Sequence, residues 1–166
     1  MSERTPRDRQ PVDPEAVLAA TTFLRETLEL MDFEADVRVH TLGDDTVVEL
    51  TGRDAQRVVG KRGETLDALQ LLANRVASKA MAGERAGLIV DAAGWREERE
   101  RTLTDRAQQL GRRAVEEGKV IVMEPLPPRE RRVVHMALAR FPGVATESEG
   151  EGEERRVRII PMPPPR

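Results

Sequence analysis

The sequence predicts an α+β chain made of two small mixed domains, and three observations carry that reading. Apolar residues recur at helical spacing in several long runs. Short alternating or wholly apolar runs stand between them. A Gly-containing break at Asp91-Ala92-Ala93-Gly94 separates one helix-and-strand series from the next. Domains of about 80 and 70 residues are each near the lower limit for an independent core.

Residues 1–12 are polar, Pro-interrupted and unpatterned, which predicts a disordered tail. Asp13-Pro14-Glu15 is a helix start, with a capping carboxylate, a Pro in the first turn and an acid at the positive end. Val17, Ala20, Leu24, Leu28 and Met31 continue that helix to residue 31. Val37–Thr41 alternates as a strand, Gly43-Asp44-Asp45 turns the chain, and Thr46–Leu50 returns as the hairpin partner. A short helix over Asp54–Val59 follows, then Gly60-Lys61-Arg62-Gly63. The next helix places Leu66, Leu69, Ala73, Val76 and Ala80 on one face and stops near Gly83. Leu88–Val90 is a buried type of strand. This half therefore reads as a three-stranded sheet carrying three helices.

Past the break, Trp95 opens a long helix with Leu103, Ala107, Leu110 and Ala114 on one stripe and Gly118 just beyond its end. Its charged outer face, with Glu97 and Arg101 one turn apart, reads as solvated. Val120–Met123 is a short strand closed by Pro125, and Pro127-Pro128 starts a helix through Phe141. Val144–Ser148 and Arg156–Ile160 alternate as two strands around an acidic Gly turn. The Pro-rich tail from Pro161 to Arg166 is not expected to continue a sheet.

Composition narrows the functions. No run of 18 apolar residues is present, so no membrane insertion is expected, and there are no cysteines for disulfides or thiolate metal sites. A cytoplasmic protein is the default. The net charge is −3, but residues 51–86 hold 7 Lys/Arg against 4 Asp/Glu, whereas residues 1–50 hold 5 against 12. Local charge decides where a phosphate backbone can lie. The absence of Tyr, with one Trp and three Phe, counts strongly against aromatic stacking platforms for bases.

The basic excess falls on Gly60-Lys61-Arg62-Gly63. The two glycines can take angles that strain other residues and leave room for close approach. Lys61 and Arg62 stand at the N-terminal end of a helix, where free N–H groups and the dipole already favour an anion. This has the form of a GXXG clamp on a nucleic-acid backbone, with Val58, Val59 and Leu66 as candidate walls of an apolar groove for bases. The plainer alternative is a Gly-rich turn with solvated charges. The second candidate is the helix after Pro128, where Arg131 and His135 share one side and Arg132 and Ala139 adjoin them. Val133, Val134, Ala137 and Phe141 take the opposite sector, expected to face the sheet. Arg offers phosphate a planar donor fork, and His can donate to phosphate or lie against a base. Taken in isolation, an Arg and a His at this spacing is far more often a chance surface pair.

These motifs together resemble one family. Val59–Gly63 with Leu66, Leu69-Gln70 and Asn74 looks like the KH half of the bacterial Jag/KhpB family of cytoplasmic RNA-binding proteins. Asp91-x-x-Gly94-Trp95-Arg96 resembles that family's interdomain joint. Glu130–His135 resembles the signature of the R-3-H domain, which binds single-stranded nucleic acid. Thr146-x-Ser148-x-Gly150 to Arg155, with Val157 and Ile159-Ile160-Pro161, is similar to its last hairpin. The resemblance implies a type II KH domain (αββααβ) over residues 13–92 and a small α/β R-3-H domain over 93–160. Gly60, Lys61, Arg62 and Gly63 would then clamp single-stranded RNA or DNA, and Arg131, His135 and Arg132 would make a second contact. It also implies an RNA chaperone or post-transcriptional regulator linked to envelope or division control, and pairing with a small separate KH protein or with itself. The chain starts almost at the KH helix, where many members carry an extra N-terminal domain; a short form is expected.

Catalysis is not expected. There is no Gly-x-Ser-x-Gly elbow, Arg62 stands where a P-loop needs Ser or Thr, and the two histidines are not spaced as metal ligands. No cofactor or metal is called for. A KH-like adaptor that docks proteins is the other reading, kept open by the acidic first helix.

Overall fold

A computed structural model of the chain describes residues 12–82 and 86–162. The expected tail before Val12, the Gly83 helix stop and the end of the Pro-rich tail lie outside the described residues. The chain divides into two compact units, parting between Arg96 and Glu97.

The first unit runs α1 (Pro14–Leu30), β1 (Asp36–Leu42), β2 (Asp45–Thr51), α2 (Ala55–Val59), α3 (Glu64–Ala80) and β3 (Ile89–Ala92). This is the type II KH order. At the start of α1 the Asp13 carboxylate accepts the Glu15 N–H at 2.8 Å, so the cap forms as its sequence requires. The hairpin turns through Gly43 at φ +60°, an angle that favours glycine. β2 is the centre of the sheet, antiparallel to β1 and parallel to β3. Its Val48 and Leu50 are fully buried. α1 packs on α3, and the small Ala16, Ala20, Ala73 and Ala77 are all completely buried in the core there. The buried stripe of α3 is Leu66, Leu69, Ala73 and Ala77, whereas Val76 is only half-buried and Ala80 is exposed. The expected stripe drifted off the 3.6-residue period in its last turn.

β3 is an edge strand, yet its peptide groups are covered by side chains. Asn74 donates to Leu88 O at 2.8 Å and accepts the Leu88 N–H at 2.8 Å. Gln70 donates to Leu88 O and accepts the Val90 N–H at 2.8 Å. Arg96 donates to Val90 O at 2.8 Å and pairs with Asp67 at 3.0 Å. An uncovered edge invites strand addition, and here three side chains close it.

The second unit contains most of α4 (Trp95–Glu117), then β4 (Ile121–Val122), α5 (Pro128–Leu138), β5 (Val144–Glu149) and β6 (Arg156–Pro161). Its antiparallel sheet has the order β4-β6-β5. Leu103, Ala107, Ala114, Val134, Leu138, Val157 and Ile159 form the core. Gly111, rather than Leu110, takes the buried position on α4. A Cβ there would stand 3.0 Å from Leu138 Cδ2, so glycine lets α5 approach. β4 is shorter than expected, but the Met123 and Leu126 N–H groups still bond Val157 O (3.0 Å) and Arg155 O (3.1 Å). α5 ends at Leu138, not Phe141. Pro161, expected outside the sheet, is the last residue of β6 opposite Val144. A strand's final residue needs no N–H for the ladder, and Met162 N–H resumes it by bonding Gly143 O at 2.8 Å. Arg101 pairs with Glu98, three residues back, rather than with Glu97. Arg99 forks onto both oxygens of Glu130 at 2.8 Å, fixing α5 to α4.

Candidate nucleic-acid interface

The GKRG loop is positioned by short elements on each side. Asp54 begins α2, where its carboxylate accepts Arg57 Nη1 at 2.7 Å and the Glu34 N–H at 3.0 Å. The Arg57 bond first, and then the Glu34 N–H, hold the Asp54 carboxyl below the usual carboxylate range. The same guanidinium lies 5.2 Å from the centre of the Phe33 ring. Gly60 then takes φ 71°, ψ −170°, a region essentially restricted to glycine. A Cβ there would fall 2.1 Å from Thr65 Oγ1. Lys61–Gly63 form a single 3-10 turn in which Arg62 is itself left-handed at φ 56°, ψ 21°. Gly63, at φ 86°, is buried, and a Cβ on it would come 2.8 Å from Trp95 Nε1. The two glycines thus fold the loop tightly between Thr65 and the Trp95 indole.

The turn leaves Lys61 and Arg62 exposed, with no ion-pair partner among the described residues, at the start of α3. Glu64, also exposed, puts one negative charge beside them. Val58, Val59 and Leu66 are 0, 3 and 0 % exposed and belong to the core. They support the loop from beneath and offer no surface to a base, so the expected apolar groove is not walled by these three. The reason is helical phase: Val58 and Val59 share the buried side of α2 with Ala55, and Leu66 begins the buried stripe of α3. The exposed neighbours of the loop are polar, among them Gln56 and Arg57.

On α5, Arg131 and His135 lie together, as their spacing requires, but they face β5 instead of open solvent. Arg131 donates from Nε to Leu126 O at 3.1 Å and from Nη1 to Ser148 Oγ at 3.4 Å. His135 Nδ1 is 2.7 Å from Thr146 Oγ1, and its Nε2 is 2.9 Å from Ser148 Oγ. Burial, and then the Arg131 charge, push the imidazole below its usual pKa, so it is the neutral ring that sits here. Arg132 is exposed. The inward sector is Val134 and Leu138, with Val133, Ala137 and Phe141 only partly buried. Leu138 was missing from the expected set.

Sequence reasoning also passed over Thr146 and Ser148 as site residues. The signal was available, because they alternate with Glu147 and share the face of buried Val144. His40 lies on the sheet 3.9 Å from Glu49, a structural position. No cluster of three or more His, Cys, Asp or Glu able to hold a metal occurs among the described residues. No described helix is long and apolar enough to cross a membrane.

Comparison with known proteins gives two adjacent family matches. The KhpA/KhpB KH-domain model covers residues 20–90 and the R-3-H domain model covers residues 101–161. RNA-binding protein KhpB of Bacillus subtilis (strain 168) is 32% identical over 150 residues, which is 89% of this chain and 71% of that protein. RNA-binding protein KhpB of Clostridium symbiosum is 32% identical over 142 residues, 84% of this chain and 64% of that protein. The protein of the same name from Lactiplantibacillus plantarum is 31% identical over 165 residues, or 94% of this chain and 49% of its own.

Proposed function

This chain belongs to the KhpB family, in which a KH domain is followed by an R-3-H domain, and from that premise we propose that it binds single-stranded RNA without catalysing a reaction. The KH module (residues 13–92) holds the RNA backbone on Gly60–Gly63, with Lys61 and Arg62 neutralising phosphates. The R-3-H module (residues 93–160) adds a contact from Arg131 and Arg132, while His135 acts from behind them. The observation that carries this reading is the pair of exposed loop cations with no ion partner among the described residues. They stand on a turn whose Gly60 conformation only glycine adopts readily. Joining two weak sites in one chain raises the effective concentration of the second, so modest contacts together give useful affinity.

A cytoplasmic RNA chaperone or post-transcriptional regulator is the role that fits such a ligand. Pairing with a small KH protein or a second copy is compatible with it, as is a link to envelope or division control. Trp95 is the single Trp of the chain and packs against Gly63, so it reports directly on the loop. Titration with a short single-stranded RNA should change Trp95 emission, with an affinity that falls steeply as salt rises. The exposed Leu71 and Leu72 on α3 favour the adaptor reading (55 and 45 % exposed), and unchanged emission with no RNA affinity at low salt would select it.

A further inference from the structure

We infer that Ser148 is a positioning residue for the Arg131 contact, its hydroxyl taking a hydrogen bond from the guanidinium and giving its own proton to His135. The inference rests on the proposed RNA contact at Arg131 and deepens it. Arginine has donors only, so across the 3.4 Å from Nη1 the Ser148 oxygen must accept. The same oxygen is 2.9 Å from His135 Nε2. A hydroxyl carries one proton and two lone pairs, so with one lone pair on the Arg131 N–H its proton is free to point at Nε2, and the proposed network places it there. Nε2 is then the unprotonated nitrogen, and Nδ1–H donates to Thr146 Oγ1 at 2.7 Å. The three bonds along Thr146–His135–Ser148–Arg131 then run in one compatible sense.

The arrangement depends on β5. Val144, Thr146 and Ser148 share one face of that strand, apolar at the first position and hydroxylic at the next two. Glu147 and Glu149 point the other way, toward Arg158 at 3.6 and 3.5 Å, so neither competes for Arg131. With Nε held on Leu126 O and Nη1 on Ser148, the guanidinium plane is fixed at two points. Its Nη2 has no partner among the described residues and remains for a phosphate. His135 has no nitrogen left to offer a ligand. Its influence on RNA passes through the Ser148 hydroxyl, and the histidine is a positioning residue as well.

The test uses the full chain, a labelled short single-stranded RNA of mixed sequence, and long-range proton–nitrogen NMR of the imidazole. In the wild type the His135 proton should reside on Nδ1; a proton on Nε2 would overturn the network. Ser148→Ala should weaken RNA binding about 5-fold while the amide spectrum stays folded, and Ser148→Thr, which keeps the hydroxyl, should restore it to within about 2-fold. Arg131→Ala should cost at least as much, and adding Ser148→Ala to it should cost nothing further, since coupled residues are not additive. Equal losses from Ser148→Ala in both backgrounds would show that the serine acts independently and would refute the positioning role. Full affinity in Ser148→Ala beside weakened Arg131→Ala would refute it too while leaving the RNA contact standing. Full affinity in Arg131→Ala would remove the contact itself.

Discussion

Exchanging Lys61 for Gln and Arg62 for Asn in one double variant isolates the charge of the loop from its shape. Both side chains are exposed and have no ion partner among the described residues, so neutralising them breaks no internal bond. Arg62 sits at φ 56°, ψ 21°. A left-handed residue that is not Gly, Asn or Asp costs about 1–2 kcal/mol, so Asn at that position relieves strain. Thermal stability should therefore hold or rise slightly. Binding should not. On a single strand each phosphate neutralised contributes about −0.7 to the slope of log affinity against log salt, so the slope should be shallower by about 1.4 if each cation meets one phosphate. Over a fourfold rise in salt, the wild type should then lose about 7-fold more affinity than the variant. Fluorescence anisotropy of a labelled single-stranded RNA across that range, beside a melting curve, measures both quantities. An unchanged slope and affinity in a variant that melts normally would refute the loop as the phosphate clamp.

The remaining predictions concern the supports of the two sites. Gly60→Ala combines a glycine-only ψ of −170° with a 2.1 Å clash on Thr65, and should destabilise the first unit by about 3 kcal/mol, seen as a lower melting temperature. Gly63→Ala, with an ordinary left-handed φ of 86° and a 2.8 Å approach to Trp95, should cost less and should shift Trp95 emission. Gln70→Met leaves Leu88 O with its Asn74 partner but orphans the N–H of fully buried Val90. A loss of about 2 kcal/mol in urea denaturation is expected, and no loss would mean that edge is solvated. For His135 the folded pKa lies below the ordinary one, so on acidification the unfolded chain takes up a proton that the native ring refuses. Protection of α5 and β5 amides should accordingly be full above about pH 6.5 and fall from there toward the lowered pKa; His135→Gln should remove that dependence.

The order of elements was legible because each helix and strand carries its own period, and caps such as Asp13-Pro14 are local chemistry. The loop was legible for the same reason, since two glycines and two cations define a turn without reference to anything distant. What escaped were the residues whose partners come from elsewhere in the chain. Val58, Val59 and Leu66 adjoin the loop in sequence, which suggested groove walls, but the phase of α2 and α3 turns them into the core. Gln70 and Asn74 entered only as part of the family resemblance. Their work on β3 appears only once a strand up to 20 residues further on is laid beside α3. His135 was read from its own helix as solvent-facing, and only the register of β5 shows two hydroxyls waiting for its nitrogens.

Both modules mix paired and unpaired cations, and this reconciles an acidic chain with a polyanionic ligand. In the second unit several described cations are already matched: Arg99 with Glu130, Arg101 with Glu98, Arg106 with Glu124, Arg113 with Glu117, Arg156 with Glu154, and Arg158 with Glu147 and Glu149. Such pairs are screened at long range and draw little RNA. The exposed cations without an ion partner include Lys61 and Arg62 on the loop and Arg129 and Arg132 beside Arg131 on α5. Net charge of −3 is therefore no obstacle, because a phosphate meets the local field of the groups nearest to it. At the loop the backbone angles of two glycines present the charge. On α5 the Leu126 carbonyl and the Ser148 hydroxyl hold the Arg131 guanidinium, so affinity at the proposed contact should depend on a hydroxyl that need not touch the RNA.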